Sequence, residues 1–267
     1  MYYIMERYTN TAEAFMIDLH CHIIPWVDDG AENAHIACAM AEHAYRSGVK
    51  TIVATPHSNL FGVRGHHCGN YRGRSYTERL SMFRALLKQH HIPIEVLPGA
   101  ELFAQRSNLR QLLENKQVVT LNHSRYLLVE FDFGSPGSAI TAALATVSRC
   151  GYIPVVAHPE RYRCVQENPR LAVEWFAAGY VIQLNKGSIL GRLGAGAQRA
   201  GVHLLTSGIA HVIASDAHDT YYRPSGFQSL LPVLKRLVPP QYTELLLEKN
   251  PRRIIQNRPI PVPEKEI

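Results

Sequence analysis

The sequence predicts an α/β protein built as a seven-stranded parallel (β/α)7 TIM-like barrel, closed or nearly so, or failing that a doubly wound sheet. Three observations predict it. Short apolar runs rich in Val, Ile and Leu recur along the 267 residues, as strands buried on both faces require. Amphipathic stretches separate the runs, so strand and helix alternate. Polar residues gather at the C-terminal end of nearly every run, which is where barrel enzymes assemble their sites.

Taken in order, strands are expected at 16–20 (MIDLH), 51–57 (TIVATPH), 94–101 (IEVLPGAE), 126–131 (YLLVEF), 153–160 (IPVVAHPE), 180–185 (YVIQLN) and 211–218 (HVIASDAH). Helices are expected over 32–47, 75–90, 137–150, 168–178 and 194–207. Several of them stop at a glycine: Gly48, Gly151, Gly179 or Gly208. Residues 1–15 carry Glu6, Arg7 and Glu13 and no continuous apolar stretch. They are expected to be a poorly structured extension rather than a secretory signal, with 16–267 forming a single catalytic domain. No run of eighteen or more apolar residues occurs, so no membrane insertion is expected.

Composition narrows the functional classes. Apolar residues make up 46% and charged residues 19%, which suits a globular domain with a full core. The formal charge of +6 favours anionic ligands. The basic residues are scattered rather than striped on one element, so nucleic acid is not an expected partner. Five cysteines, an odd number without CxxC spacing, point to reduced thiols and a cytoplasmic setting.

The strand ends carry ligand chemistry. The first delivers His20 and His22, with Asp28 and Asp29 in the loop behind them. His57, Glu101 and Glu130 end the next three, His158 the fifth with Glu160 and Arg161 beyond it, and Asp216 and His218 the seventh. Residues i and i+2 of a strand share a face, so His20 with His22, and Asp216 with His218, can enter one pocket. Imidazoles and carboxylates together suit manganese, zinc or iron. His35, His43, His90, His91, His203 and His211 are expected on helix or loop surfaces.

A second motif competes for attention. His67-Cys68 followed by Arg74-Ser75 fits the spacing of cysteine-dependent tyrosine phosphatases. The thiolate mechanism wants its cysteine directly after a buried strand and before a helix. The preceding residues, NLFGVRGHH, lack an apolar run, and Cys164 with Arg170 repeats the spacing elsewhere, so the match is read as coincidence. The long, basic segment 58–74 is expected to be a loop in which Arg64, His66, His67, Tyr71, Arg72 and Arg74 could lie above the site.

The ordered motifs IDLHCHIIPWVDDG, ATPHSN, LPGAE, LLVEF, VVAHPERY and VIASDAHDTYYRP resemble those of the polymerase and histidinol phosphatase (PHP) superfamily. The likeness is greatest to its bacterial manganese-dependent protein-tyrosine phosphatases of capsule and exopolysaccharide synthesis, and it spans residues 16 to about 255. The resemblance implies a distorted seven-stranded (β/α)7 barrel and a metal-dependent enzyme that hydrolyses phosphotyrosine in proteins, its substrate a bacterial tyrosine autokinase with a Tyr-rich tail. It implies up to three divalent ions, Mn²⁺ first, with Fe or Zn possible. His20, His22, Glu101 and Asp216 would hold one ion; Glu101, Glu130 and His158 a second; Asp29, His57 and His218 a third. Arg161 and Arg223 would grip the substrate phosphate, and His57, Asp29 or a metal-bound water are the candidate proton donors to the leaving group, among which the sequence does not choose. Direct attack by a metal-bound hydroxide is the expected mechanism. The alternative is a small-molecule phosphomonoesterase such as histidinol-phosphate phosphatase. An amidohydrolase would want a bridging lysine, and Lys186, following the sixth strand, is poorly placed for it.

Overall fold

The computed structural model describes residues 15–63, 66–104 and 107–261. The expected extension lies outside them except for Phe15, as do Arg64 and the side chains of His66 and His67. Among the described residues ten strands occur where seven were expected. They are β1 (Met16–Cys21), β2 (Val49–Ala54), β3 (His57–Val63), β4 (His66–Gly69), β5 (Glu95–Pro98), β6 (Glu101–Phe103), β7 (Tyr126–Glu130), β8 (Ile153–Ala157), β9 (Val181–Asn185) and β10 (Val212–Ala214).

Two expected strands are each broken in the middle. The run 51–57 divides at Thr55-Pro56 into β2 and β3, and 94–101 divides at Gly99-Ala100 into β5 and β6. Proline has no N–H to give a ladder, which explains the first break. At the second, the Tyr76 hydroxyl donates to the Gly99 carbonyl and accepts from its N–H, at 2.8 and 2.9 Å, in place of a neighbouring strand. Hydrogen bonding therefore defines two sheets, ordered β1-β2-β5 and β10-β9-β8-β7-β6-β3-β4. Every pair is parallel except β3–β4. One isolated bridge, Cys21 to Ala217, links β1 to the residues after β10. The expected single closed sheet of seven strands is thus replaced by two parallel-rich sheets.

The segment 58–74 is also different from expectation. Most of it is the antiparallel hairpin β3–β4 rather than a loop, with Leu60 opposite Cys68. A hairpin on a sheet edge needs no continuous apolar run, and that is why composition concealed it.

The expected helices form within one or two residues: α1 (Ala34–Arg46), α2 (Arg74–Gln89), α4 (Gly137–Arg149), α6 (Arg170–Ala177) and α8 (Ala195–Thr206). Asn33 caps α1 by accepting from the Ile36 N–H. The four glycine stops have φ between +73° and +96°. Short helices α3 (Leu109–Glu114), α5 (Arg163–Glu167) and α7 (Lys186–Ile189) were not expected, nor were three more, α9 (Leu231–Leu237), α10 (Pro240–Glu244) and α11 (Asn250–Ile255). The first four are at most two turns long, too short for a period to emerge, whereas α10 and α11 are joined through a π-helical stretch, Leu245–Lys249, into one run over 240–255 that begins on two prolines.

Apolar packing has two parts. The larger cluster joins the helices to the strands, with Met40, Phe83, Leu144 and Trp175 among its members. The smaller is made mostly of strand residues from both sheets, including Ile17, Leu19, Val53, Leu128, Val155 and Val212. His211 is half-buried rather than on the surface. Its Nδ1 accepts from the Ile182 N–H at 3.0 Å, its ring stacks on Phe176, and burial pushes it down to about 4.

Candidate metal centre

Strand geometry brings together all nine residues expected as ligands. They form overlapping groups of donor atoms within 4.8 Å of one another: His22, Asp29, His57 and His218; His20, His22 and Glu101; His20, His158 and Asp216; His57, Glu101 and Glu130. Eight are buried and Asp29 is half-buried. The breaks in the strands have a purpose here. His57 opens β3 and Glu101 opens β6, paired side by side, so both carboxylate and imidazole enter the cluster from the gap. His158 and Asp216 leave β8 and β10 with φ of +33° and +50°. That left-handed backbone is costly for a residue with a Cβ, about 1–3 kcal/mol, and such strain concentrates at functional sites.

Neighbouring side chains fix which nitrogen each histidine presents. The Gln183 amide donates to the Leu184 carbonyl at 2.7 Å, so its oxygen faces His20 Nδ1 at 3.0 Å and accepts from it. Asp28 Oδ2 accepts from His22 Nδ1 at 2.7 Å and from the His57 N–H at 2.9 Å. With both Nδ1 atoms protonated, both Nε2 lone pairs point inward. They lie 3.1 Å apart, each 3.3 Å from Glu101 Oε2. Asp216 Oδ1 is 3.4 and 3.6 Å from the same two nitrogens. Two imidazole lone pairs and two carboxylates converging in a dry space repel one another unless cations lie between them. That donor set fits divalent ions.

Charge in the cluster follows from the same crowding. Burial opposes a proton on His20, yet Glu101 and Asp216 lift it to about 9; His57 is likewise lifted to about 10 by Glu101 and Glu130. Burial holds His158 and His218 down at about 4. Glu130 is held above the ordinary carboxylate range by burial and by the Glu101 charge. Glu101 itself is driven well below that range, against burial, by His20 and His158.

Gly30 is obligatory in the loop that carries Asp28 and Asp29. A Cβ there would lie 2.2 Å from the His22 carbonyl oxygen and 2.4 Å from its Cβ. The loop folds back on β1, and the Gly30 N–H donates to Asp28 Oδ1 at 2.9 Å.

The two arginines meet the cluster at one atom. Arg161 Nη1 donates to Asp216 Oδ2 at 3.2 Å, and Arg223 Nη2 pairs with the same oxygen. The Arg161 guanidinium lies over the Phe133 ring, 4.3 Å from its centre. Arg223 sits on a loop shaped by Asp219, whose Oδ1 accepts from the N–H groups of Tyr221, Tyr222 and Arg223. Lys186 is buried beneath that loop and donates to the Pro224 and Gly226 carbonyls. Its ammonium holds the backbone just after Arg223 and is committed to those carbonyls.

Cys68 does not have the properties of a nucleophile. It is buried within β4, and burial, aided by Asp28 and Asp29, pushes its thiol up to about 11. Arg74 points to solvent, with Nε 2.6 Å from Glu78.

The reading of strand ends missed the residues that orient the ligands. Gln183 and Asn185 lie inside an apolar run, and Asn185 Nδ2 donates to Asp216 Oδ2 at 2.5 Å. Asp18, fully buried, accepts from the Ser215 N–H at 3.0 Å and ties β1 to the residues after β10. The available signal was polarity itself: an amide or carboxylate within a strand buried on both faces needs a partner.

A buried His/Asp/Glu cluster at the breaks and ends of parallel strands defines a centre for divalent ions, with two guanidiniums at its rim. Comparison with known proteins gives the class a family. The profile of the capsular polysaccharide synthesis family CpsB/CapC matches residues 16–256, and the chain belongs to that family. The tyrosine-protein phosphatase YwqE of Bacillus subtilis (strain 168) is 34% identical over 247 residues, covering 92% of this chain and 93% of that protein. The tyrosine-protein phosphatase CpsB of Streptococcus pneumoniae is 30% identical over 248 residues, covering 91% and 99%. A chain from the crystal structures of those two proteins, described as unique metal-dependent tyrosine phosphatases, superposes with a TM-score of 0.81 at 32% identity, covering 92% of this chain and 99% of that one. The phosphotriesterase homology protein of Escherichia coli shares the fold at a TM-score of 0.59 and 13% identity, covering 92% and 100%.

Proposed function

We propose that this chain is a metal-dependent phosphatase that hydrolyses phosphotyrosine in proteins. One observation carries the reading: nine candidate ligands converge in a buried cluster whose open side is bounded by two arginines. The relatives named above supply the reaction class. From the family likeness, the substrate is a bacterial tyrosine kinase of polysaccharide synthesis, and the setting is cytoplasmic. With β2–β3 and β5–β6 each counted as one interrupted strand and β4 as a hairpin extension, the strand order and the Cys21–Ala217 bridge support a distorted seven-stranded barrel as the scaffold, with residues 16–267 as one domain.

Up to three ions, Mn²⁺ first, would be held by His20, His22, Glu101 and Asp216, by Glu101, Glu130 and His158, and by Asp29, His57 and His218. Bound there, divalent ions neutralise phosphate oxygens and make hydroxide available at neutral pH. The protein contributes position and charge. Arg161 and Arg223 offer guanidinium forks to the non-bridging phosphate oxygens. Both of them reach Asp216 Oδ2, so an arriving phosphate competes with that carboxylate for the same N–H groups. His57 turns Nδ1 to Glu101 at 3.1 Å and Nε2 to Asp29 at 3.4 Å, an engagement of both nitrogens that favours a ligand over a proton donor. Trp26, Tyr221 and Tyr222 are 66–79% exposed, on the two loops that carry Asp29 and Arg223. They give an aromatic leaving group a surface to stack on.

The test is turnover by chelator-stripped protein of matched phosphotyrosine and phosphoserine peptides, with and without Mn²⁺. Metal-restored hydrolysis selective for phosphotyrosine is expected. Equal rates on the two peptides, or faster turnover of histidinol phosphate, would overturn the protein-tyrosine reading in favour of a metabolite phosphatase.

A further inference from the structure

A cleft lies beside the metal centre, on the side of Arg161. It encloses about 760 Å³, within the range of ligand-sized sites. Phe133 and Arg161 form its inner wall, Arg163 and Gln166 of α5 one flank, and Arg199 and His203 of α8 the other. It adjoins the centre through two residues: the Phe133 ring lies 5.9 Å from the His158 ring, and Arg161 lines the cleft while reaching Asp216.

Charge gives the cleft its preference. Three guanidiniums line it and one carboxylate, Glu167, which Arg163 already engages at 2.8 Å. The net charge is therefore positive, and Arg199 faces no further acid among the lining residues. Its walls are held in place. Gln166 Nε2 donates to the Glu160 carbonyl at 3.0 Å, and a Cβ at Gly196 would lie 2.4 Å from Gln166 Oε1. Glycine there leaves room for the Gln166 side chain between α5 and α8.

We propose that this cleft is a substrate subsite for a second anionic group on the phosphotyrosine polypeptide. Arg199 and Arg163 would hold it while Arg161 and Arg223 hold the reacting phosphate. The proposal rests on the phosphotyrosine reading and deepens it to a substrate class: segments in which an acidic or phosphorylated side chain lies close to the target tyrosine. A carboxylate and a phosphate share the required chemistry, since each presents paired oxygens to a planar guanidinium. A single-phosphate metabolite would leave the cleft unused.

The experiment compares three phosphotyrosine peptides of equal length on the Mn²⁺-loaded enzyme: neutral flanks, glutamate flanks, and flanks bearing a second phosphotyrosine. p-Nitrophenyl phosphate serves as the flankless reference. KM is expected to be about tenfold lower for at least one anionic peptide than for the neutral one, the advantage shrinking as salt is raised. Arg199→Glu is expected to raise KM for that peptide about tenfold more than for the neutral peptide, with kcat retained. Arg199 is exposed on α8, so the variant's effect on folding should be small, and its melting temperature checks this. The anionic peptide with the larger gain identifies carboxylate or phosphate as the natural occupant. Equal KM for all three peptides, or an equal effect of Arg199→Glu on all three, overturns the subsite while leaving the phosphatase reading intact. No turnover of any of the four substrates removes both.

Discussion

The two ends of the same strands are built on opposite rules. On β7, Tyr126 and Leu128 pack into the inner apolar cluster, and two residues later Glu130 is a buried carboxylate facing another. On β1, Ile17 and Leu19 give way to His20; on β8, Val155 and Ala157 give way to His158. One end gains stability from every residue it buries. The other sequesters charge that only a cation, or an uneven sharing of protons, can reconcile. A fold can carry such a site because the apolar end has stability to spare, and opposed responses to substitution should expose the arrangement.

Glu130→Gln gives the largest separation. It removes a candidate ligand while keeping the side chain's shape, so turnover should fall about a thousandfold or more, read as kcat with Mn²⁺ in excess. In chelator, the same variant should melt a few degrees higher than the parent, because it relieves a buried carboxylate of its neighbour Glu101. The sign with pH follows. The carboxyl is held above its ordinary 4.5 in the folded chain, so its stabilising contribution is present below that value and lost as pH rises. The advantage of the glutamine variant in chelator should therefore widen from acid to neutral pH. A lower melting temperature for that variant at pH 7 would erase the proposed contrast between the two ends.

Leu128→Ala should behave in the opposite way. It leaves a cavity among fully buried neighbours, costing about 2–5 kcal/mol in denaturant unfolding. The kcat of the folded fraction at low temperature should stay close to the parent's. A collapse of kcat alongside the lost stability would mean that the ends are not separable.

Much of this contrast was legible beforehand, because it rests on patterns local in sequence. Apolar runs marked the strands, glycines the helix stops, and ligand-type residues at the ends of runs the cluster. What stayed hidden depends on neighbours distant in the chain. The run TIVATPH reads as one strand, yet Pro56 interrupts its ladder and hands His57 to a new partner. The Gly99 break is maintained by Tyr76, 23 residues away. His211 looked like a strand-entry surface residue, and only the fold places Phe176 and the Ile182 N–H against it. Asp28 was visible as a loop carboxylate, but its grip on His22 requires the chain to fold back at Gly30.

Asp28→Asn tests that orienting contact and should have an intermediate effect. The amide retains the size of the side chain but loses the charge that holds His22 Nδ1–H at 2.7 Å. Metal affinity, measured by competition against a chromogenic chelator, should drop about ten- to a hundredfold. Saturating Mn²⁺ should recover most of the turnover. Unchanged affinity would reduce Asp28 to a loop residue with no bearing on the centre.

Cys68→Ser should have the smallest effect, and its smallness is informative. Cys68 fits the phosphatase spacing with Arg74 and, contrary to the expectation of a loop, does lie on a strand that precedes a helix. Its surroundings nevertheless reverse what a nucleophile needs. With the thiol pushed up to about 11, only about one molecule in ten thousand carries the thiolate at pH 7. The carboxylates of Asp28 and Asp29 raise it further where a cation would lower it, and Arg74 is occupied at the surface. Serine is nearly isosteric with cysteine, so kcat/KM on a phosphotyrosine peptide should remain within about twofold. The Mn²⁺ requirement should be unaltered. Loss of all turnover in this variant, with metal content intact, would transfer the chemistry from the strand-end cluster to the hairpin. Retained turnover leaves the carboxylates that suppress the thiolate with a single consistent role, beside and within the metal centre.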